Sequence, residues 1–456
     1  MNETIFRAND VRGIVERDFT DDVVLNLGKA YGSYMRRRGH KHLVVGHDLR
    51  LSSSHLAEMF MQGLESTGAD IVFIGQVTTP ALYFSILHWN LDGGVMITGS
   101  HNPKPYNGFK MCEGLGSVYG EEIQKLKNMI LAQDFDRASG RREKRDIMPD
   151  YLDMLRTKFS FQKKLKIVVD AGNATAGPIA PQLWRDYGHE VIELYCEPDG
   201  NFPNHLPDPC VPKYMQDLAA RVVAENADIG IGYDGDADRV GAVDDTGEYI
   251  FADRLLVLFA QDVLRNNPHA PIIFDVKCTL ALPEAIEKAG GKPVMWKTGH
   301  SMQKAKMKEL NAPFAGELSG HVFFNDDFFG FDDGIYASGR LLQIVANSDT
   351  KFSELIQVAP VLPATEEIRV DCADEVKFDV VANLVKDFAA EFKVIDVDGA
   401  RVEFGDGWGL VRASNTEPNL VIRFEARTEE RLAEIIEIFK KRFDKYPDIK
   451  YDRNAF

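Results

Sequence analysis

Four polar turns, each set beside an apolar stretch, carry the residues of this 456-residue chain whose types could do chemistry. The first, T-G-S-H-N-P, follows the apolar Val95, Met96 and Ile97 and brings Ser100 and His101 together, with Lys110 a little further on. A hydroxyl beside an imidazole suggests a nucleophile with a base. The G-x-S-x-G elbow of hydrolases is absent, however, and a turn whose serine merely caps a helix has the same composition. The second turn sits in D-I-G-I-G-Y-D-G-D-A-D-R-V-G-A-V, where Asp234, Asp236 and Asp238 end one apolar run and Arg239 precedes the next. Alternating carboxylates separated by small residues let three oxygen ligands converge on a cation. An EF-hand also begins D-x-D-x-D, but Arg239 replaces its turn glycine and Asp245 stands where its bidentate glutamate belongs. Three uncompensated carboxylates would repel by about 4 kcal/mol per pair at 4 Å and an effective dielectric of 20. A metal is therefore favoured over a solvated acidic turn, and magnesium suits an all-oxygen site completed by a phosphate.

The third turn, G-E-L-S-G-H, offers Glu317, Ser319 and His321, and K-T-G-H-S just before it offers Lys297 and His300. Such sets suit sugar hydroxyls, but each alone could equally be a helix cap or a surface turn. The fourth, R-A-S-N-T-E-P, holds Arg412, Ser414, Asn415 and Thr416, with Arg423 on the apolar stretch that follows. Guanidinium forks beside hydroxyl and amide donors make a phosphate cradle, and the competing reading is a strand edge guarded by arginines.

The elements that must position these turns read as three rounds of strand–helix alternation. H-L-V-V-G-H-D, D-I-V-F-I-G and G-G-V-M-I-T are strands with helical segments between them, and the pattern resumes at L-K-I-V-V-D-A-G-N and again at P-I-I-F-D-V. Three related α/β domains with mixed, largely parallel sheets are expected, with A-S-G-R-R-E-K-R-D-I-M-P-D as a linker after the first. The last stretch is mostly strand-like, with helical segments after its first and last strands, which predicts an antiparallel α+β domain. Boundaries near 150, 252 and 363 divide the chain into 1–150, 151–252, 253–363 and 364–456.

Hydrophobic content of 45% and charged content of 27% are those of a soluble globular protein, and no apolar run approaches the length of a membrane span. The opening M-N-E-T-I-F-R-A-N-D lacks the basic and apolar regions of a signal peptide, so no leader is expected. Five scattered cysteines without a C-x-x-C pair favour reduced thiols in a cytoplasm. With 53 basic and 70 acidic residues the formal charge is −17, which discourages binding to nucleic acid or an anionic membrane but leaves an anionic small substrate possible in a locally basic cleft. Ligands in α/β sheets gather beyond the carboxyl ends of strands. Four such edges facing one cleft would assemble nucleophile, metal, sugar reader and phosphate clamp, and that combination indicates phosphoryl transfer on a phosphosugar.

The four motifs, in this order and spacing, resemble the α-D-phosphohexomutase superfamily, most closely its bacterial phosphomannomutase/phosphoglucomutase branch. The resemblance spans the whole chain and implies four domains in a heart-shaped molecule around a central cleft, the last similar to TATA-binding-protein folds. It implies a reversible exchange of phosphate between the 1- and 6-positions of glucose and mannose phosphates through a hexose 1,6-bisphosphate. Ser100 would be carried as a phosphoserine, with glucose 1,6-bisphosphate as primer, and would hold Mg²⁺ together with Asp234, Asp236 and Asp238. Arg12, in D-V-R-G, and Arg239 would steady the phosphoserine and the oxygens in transfer. Lys110 and His321 would be general acid and base, with Lys277, Lys297 and His300 assisting at the substrate. Glu317 and Ser319 would hold sugar hydroxyls, and Arg412, Ser414, Asn415, Thr416 and Arg423 the phosphate that stays. Three carboxylates and a phosphoserine of about −2 exceed one Mg²⁺ by roughly three charges, hence a need for Arg12, Arg239 and Lys110 nearby. Asn9 stands where the family has a tyrosine. Rival readings are a glucosamine phosphate mutase, a phosphatase using an aspartyl phosphate, and a sugar-phosphate sensor without turnover. Small hexose phosphates are the expected partners, and a monomer or weak dimer the expected state.

Overall fold

The computed structural model describes residues 1–414 and 418–451, so Asn415 and Thr416 lie outside the described residues. The chain forms two compact units, one of Met1–Leu255 with Ser319–Gln357, the other of Leu256–Leu318 with the chain from Val358 onward.

The first unit is built on two mixed sheets. In one, the strands run in the order Val11–Ile14, Tyr106–Glu113, Gly93–Ile97, His42–His47, Asp70–Gln76 and Arg142–Lys144. From Gly93–Ile97 to Arg142–Lys144 they are parallel, while Tyr106–Glu113 runs antiparallel to both its neighbours. Helices Asp21–Arg37 and Ser53–Glu65 cover this sheet, and Leu27, Tyr31, Phe60 and Phe109 form part of its fully buried core. Burying each such side chain contributes about 1.5–3 kcal/mol. The longer helix starts where Thr20 accepts a hydrogen bond from the Val23 amide, has Asp21 and Asp22 in its first turn and ends on Arg36 and Arg37, as the helix dipole favours.

The segment expected as a linker after the first domain is in part an edge strand. Arg142–Lys144 lacks apolar residues, but it pairs with Ile71, Val72 and Phe73, and the Arg142 guanidinium bonds Glu58 and Glu65. Backbone pairing and ion pairs hold it where side-chain burial does not.

The second sheet of this unit orders Tyr249–Ile250, Val240–Asp244, Ile229–Tyr233, Lys166–Asp170 and Glu190–Leu194. Its last three strands are parallel, and the hairpin Ile229–Tyr233/Val240–Asp244, closed at the Tyr233–Val240 pair, leaves the three-aspartate turn as its connection. Helix Gly334–Ala346 begins where Asp333 accepts from the Tyr336 amide.

In the second unit Lys292–Trp296, Pro271–Asp275 and Phe314–Gly316 pair in parallel. An antiparallel sheet follows, ordered Ile368–Asp371, Asn419–Ala426, Gly407–Ala413, Ala400–Glu403, Lys393–Ile395. K-V-I-D-V-D-G-A-R-V-E-F is thus two strands, turning at Gly399 with φ of 93°. Alternation sorts the faces: Val411, Ile422 and Phe424 pack with Phe388 and Phe439 of helices Lys377–Ala389 and Glu429–Phe443, whereas Trp408 and Leu410 pack with Val276 and Leu280.

Candidate active site

Three connections of the first unit meet at one buried cluster. The turn between Gly93–Ile97 and Tyr106–Glu113 holds Ser100 at φ of 47°, a left-handed conformation that costs a non-glycine residue about 1–2 kcal/mol. The Thr98 hydroxyl accepts from the Ser100 amide at 2.8 Å and helps to fix it there. The Ser100 hydroxyl donates to Asp234 Oδ2 at 2.6 Å and lies 3.1 Å from His101 Nδ1. Lys110, on the returning strand, donates to Asp236 Oδ2 at 2.7 Å and to Asp238 Oδ2 at 2.5 Å. Thr79 also donates to Asp236 Oδ2, at 2.6 Å.

The aspartates are fully buried, and one oxygen of each lies within 4.8 Å of the others. Asp236 Oδ1 and Asp238 Oδ1 are buried with no hydrogen-bond donor. Hard oxygens left without a proton donor, on a turn that gathers three carboxylates, fit a divalent cation such as Mg²⁺. Burial, then Asp238 and Asp236, push the Asp234 carboxyl well above the usual carboxylate range. Asp236 is held below that range despite its burial, because the Lys110 ammonium is against it. For Lys110 burial acts to lower the pKa, and Asp236, Asp238 and Asp234 outweigh it, so the ammonium stays charged.

Arg239 joins this cluster to the third connection, the segment from Ser319 to Asp333 that carries His321 and Asp332 ahead of helix Gly334–Ala346. Its amide donates to Asp234 Oδ1 at 3.1 Å and its Nε to His321 Nε2 at 3.0 Å. A guanidinium only donates, so His321 Nε2 is unprotonated and the ring hydrogen sits on Nδ1, which is 3.0 Å from Asp332 Oδ2 and 3.6 Å from Asp238 Oδ1. His101, by contrast, has its pKa lowered by burial and by Arg239 and Arg12, which keeps it neutral. Arg12 bonds Asp10 at 2.5 Å and the Asn102 carboxamide, and so reaches the serine turn from the neighbouring strand. The Ser319 carbonyl accepts from Cys210 Sγ at 2.8 Å.

The remaining candidates belong to the second unit. Lys277 Nζ lies 3.2 Å from Glu367 Oε2, Arg412 Nε donates to Asp398 Oδ2 at 3.0 Å, and Arg423 donates to the Lys277 carbonyl at 2.5 Å. Glu317 Oε1 accepts from the Gly299 amide at 2.7 Å, His300 opens helix His300–Leu310, and the Lys297 carbonyl accepts from Gln303. The Ser414 amide donates to the Asn419 carbonyl at 3.0 Å.

The Lys277 ammonium pulls the Glu367 carboxyl down from 4.5 to about 2. A carboxyl depressed in the folded state stabilises above its unfolded pKa, and that contribution is lost as pH falls from about 4.5 to about 2. With the Glu367 side chain 30% exposed, water screens the pair, and ~1–2 kcal/mol is the expected size. Unfolding measured at pH 7 and pH 3 should therefore show wild type losing roughly half of that amount, about 1 kcal/mol, more on acidification than Glu367→Gln.

Thr79 and Asp332 were not singled out by any motif. Asp332 had a faint signal, the D-D pair before an apolar helix, but Thr79 sits at an ordinary helix start, and only the fold brings it to Asp236.

Comparison with known proteins agrees with this arrangement. Family profiles described as phosphoglucomutase/phosphomannomutase alpha/beta/alpha domains I, II and III match residues 3–137, 149–247 and 251–361, and the C-terminal domain of the same family matches 367–442. A phosphomannomutase/phosphoglucomutase of Pseudomonas aeruginosa is 48% identical over 438 residues, covering 96% of this chain and 95% of its own length. A phosphoglucomutase of Neisseria gonorrhoeae is 44% identical over 450 residues, 98% of each chain. The crystal structure of a phosphoglucomutase/phosphomannomutase family protein from Burkholderia thailandensis superposes with a TM-score of 0.92 at 40% identity, covering 99% of this chain and all of that one. With all four profiles matched in order and relatives 44–48% identical over nearly the whole chain, the chain belongs to the phosphoglucomutase/phosphomannomutase family.

Proposed function

We propose that the chain is a phosphohexomutase that interconverts the 1- and 6-phosphates of glucose and mannose through a phosphoserine at Ser100 and a hexose 1,6-bisphosphate. The observation that carries this reading is the Ser100 hydroxyl, held 2.6 Å from Asp234 on a left-handed turn beside two buried aspartate oxygens without donors. Asp234, Asp236 and Asp238 with the phosphorylated Ser100 would hold Mg²⁺, which when bound supplies charge neutralisation of the phosphoryl oxygens. Glucose 1,6-bisphosphate is the primer that loads Ser100.

In the forward half-reaction the bond between Ser100 Oγ and phosphorus breaks and one forms to the O6 hydroxyl of a hexose 1-phosphate. His321 receives the hydroxyl proton at Nε2, whose lone pair accepts from Arg239 Nε at rest and is released when that guanidinium turns to the phosphoryl oxygens. Lys110, held cationic, cannot serve as the base; it stabilises or protonates the departing serine oxygen. His101 stays neutral and packs against the serine, while Arg12 and Arg239 balance the phosphoryl charge. The bisphosphate then turns around and returns its other phosphate to Ser100. Glu317 and Ser319 hold sugar hydroxyls, Lys277, Lys297 and His300 assist at the substrate, and Arg412, Ser414 and Arg423 hold the resident phosphate; Asn415 and Thr416 complete that last set by motif alone. Domain limits near 150, 252 and 363, a monomer or weak dimer, and a cytoplasmic location complete the proposal. The five cysteines are unbridged and no described helix is long and apolar enough to cross a membrane.

Turnover of glucose 1-phosphate, mannose 1-phosphate and glucosamine 1-phosphate, with Mg²⁺ and a trace of primer, tests the reading. Comparable turnover of the first two is expected. Turnover of the amino sugar alone would replace the substrate assignment, and none at all would leave a sensor.

The close approach of the serine and aspartate turns gives a further expectation. A Cβ on Gly235 would press into the Ser100 carbonyl. Gly235→Ala should therefore remain folded yet lose about 10²-fold in kcat, the usual result of misplacing reacting groups by about 1 Å; steady-state kinetics beside a melting curve would check it.

A further inference from the structure

The serine turn has a second anchor that takes no part in the chemistry above. Strands His42–His47 and Gly93–Ile97 lie side by side in parallel, with His47 opposite Ile97, so the segment after the first strand borders the Ser100 turn. Asp48 Oδ2 accepts from the Thr98 hydroxyl at 2.8 Å and from the Gly99 amide at 3.1 Å, and Asp48 Oδ1 accepts from the Arg50 amide at 3.0 Å. The Arg50 side chain, 2% exposed, donates from one terminal nitrogen to the carbonyls of Pro103 (2.9 Å) and Tyr106 (3.0 Å). Its other terminal nitrogen donates to the carbonyls of Ser100 (2.6 Å) and Asn102 (2.5 Å). Asp48 thus grips donors of the turn and Arg50 its acceptors. A Cβ on Gly99 would sit 2.5 Å from the guanidinium carbon, so the turn is moulded on Arg50.

Resting on the mutase reading above, we propose that Arg50 is the positioning residue of the phosphoryl-carrying turn, a buried fork that templates four of its carbonyls and so aims the group on Ser100 at the incoming hydroxyl. Arg50 touches no substrate in this role, and it meets Ser100 only at the backbone carbonyl, not at the hydroxyl that carries the phosphoryl group. A planar fork with fixed donor directions can hold four acceptors at once, whereas a lysine in its place offers one point charge with three donors. In-line transfer is sensitive to displacements of this size, so losing the template lowers kcat and leaves substrate affinity nearly as it was.

The test compares wild type, Arg50→Lys and Arg50→Ala by kinetics, chemical rescue and hydrogen exchange. Arg50→Lys should lose about 10²-fold in kcat with KM within about 3-fold. Millimolar guanidinium should restore part of the Arg50→Ala rate, where ammonium does not. The peptide covering 98–107 should exchange its amides faster in Arg50→Lys than in wild type, with protection elsewhere unchanged. A kcat for Arg50→Lys within about 3-fold of wild type would overturn the proposal, as would unchanged exchange of that peptide. If Arg50→Ala does not fold, Arg50→Lys decides. Absence of turnover in wild type would instead refute the mutase reading, and the exchange data would still report whether Arg50 orders the turn.

Discussion

Ser100→Ala is expected to lower kcat for hexose phosphate interconversion by at least about 10⁴-fold, some 5 kcal/mol of lost transition-state stabilisation, while the protein stays folded. The loss is large because no other group can take the serine's place: Thr98 bonds the Ser100 amide, and Thr79 is committed to Asp236. The fold should survive because the substitution removes only the hydroxyl, whose bond to Asp234 contributes about 1–2 kcal/mol. Alanine also tolerates a φ of 47° about as poorly as serine does, so little backbone strain is added. The check is the rate in both directions beside the melting temperature. A residual rate within about 10-fold of wild type would leave the serine a structural part of the turn.

The second large effect is expected at Lys110. Its ammonium lies between Asp236 and Asp238, 96% hidden from solvent, and together with Arg239 it offsets a cluster that also includes Asp234 and Asp332. Lys110→Met keeps the apolar stem and deletes the charge. Leaving buried carboxylates unpaired costs about 3–5 kcal/mol, and loss of the charge at the departing oxygen costs a further 10²–10⁴-fold in kcat. The same argument predicts that Mg²⁺ raises the melting temperature of Lys110→Met by more than it raises that of wild type, since the cation then relieves a larger imbalance. Equal stabilisation of the two proteins by Mg²⁺ would show that Lys110 and the metal do not share the aspartates.

How far the sequence foretold this site differs from residue to residue. The two turns were legible because each ends an apolar strand with residues that build turns, Gly99, Asn102 and Pro103 in one and Gly235 in the other, although only the second reads as joining two strands. Lys110 stood out only as an amine a little beyond the serine turn, and the strand Tyr106–Glu113 that carries it was not foreseen. Thr79 and Arg50 did not stand out, since their side chains look ordinary in their own segments and gain meaning only where parallel strands end side by side. The Arg142–Lys144 edge strand escaped for a different reason: its side chains are solvated, and only its backbone pairing makes it part of the sheet. In the second unit the split of Lys393–Ile395 from Ala400–Glu403 hinged on Gly399, whose φ of 93° permits a tight reversal that the flanking valines hide.

The most direct measurement treats the purified protein with glucose 1,6-bisphosphate labelled in its phosphates, maps the label by mass spectrometry, then chases with unlabelled glucose 1-phosphate. Label on Ser100 that leaves quantitatively into the sugar phosphates is the predicted result. Label on an aspartate, or release as inorganic phosphate without transfer to sugar, would contradict it.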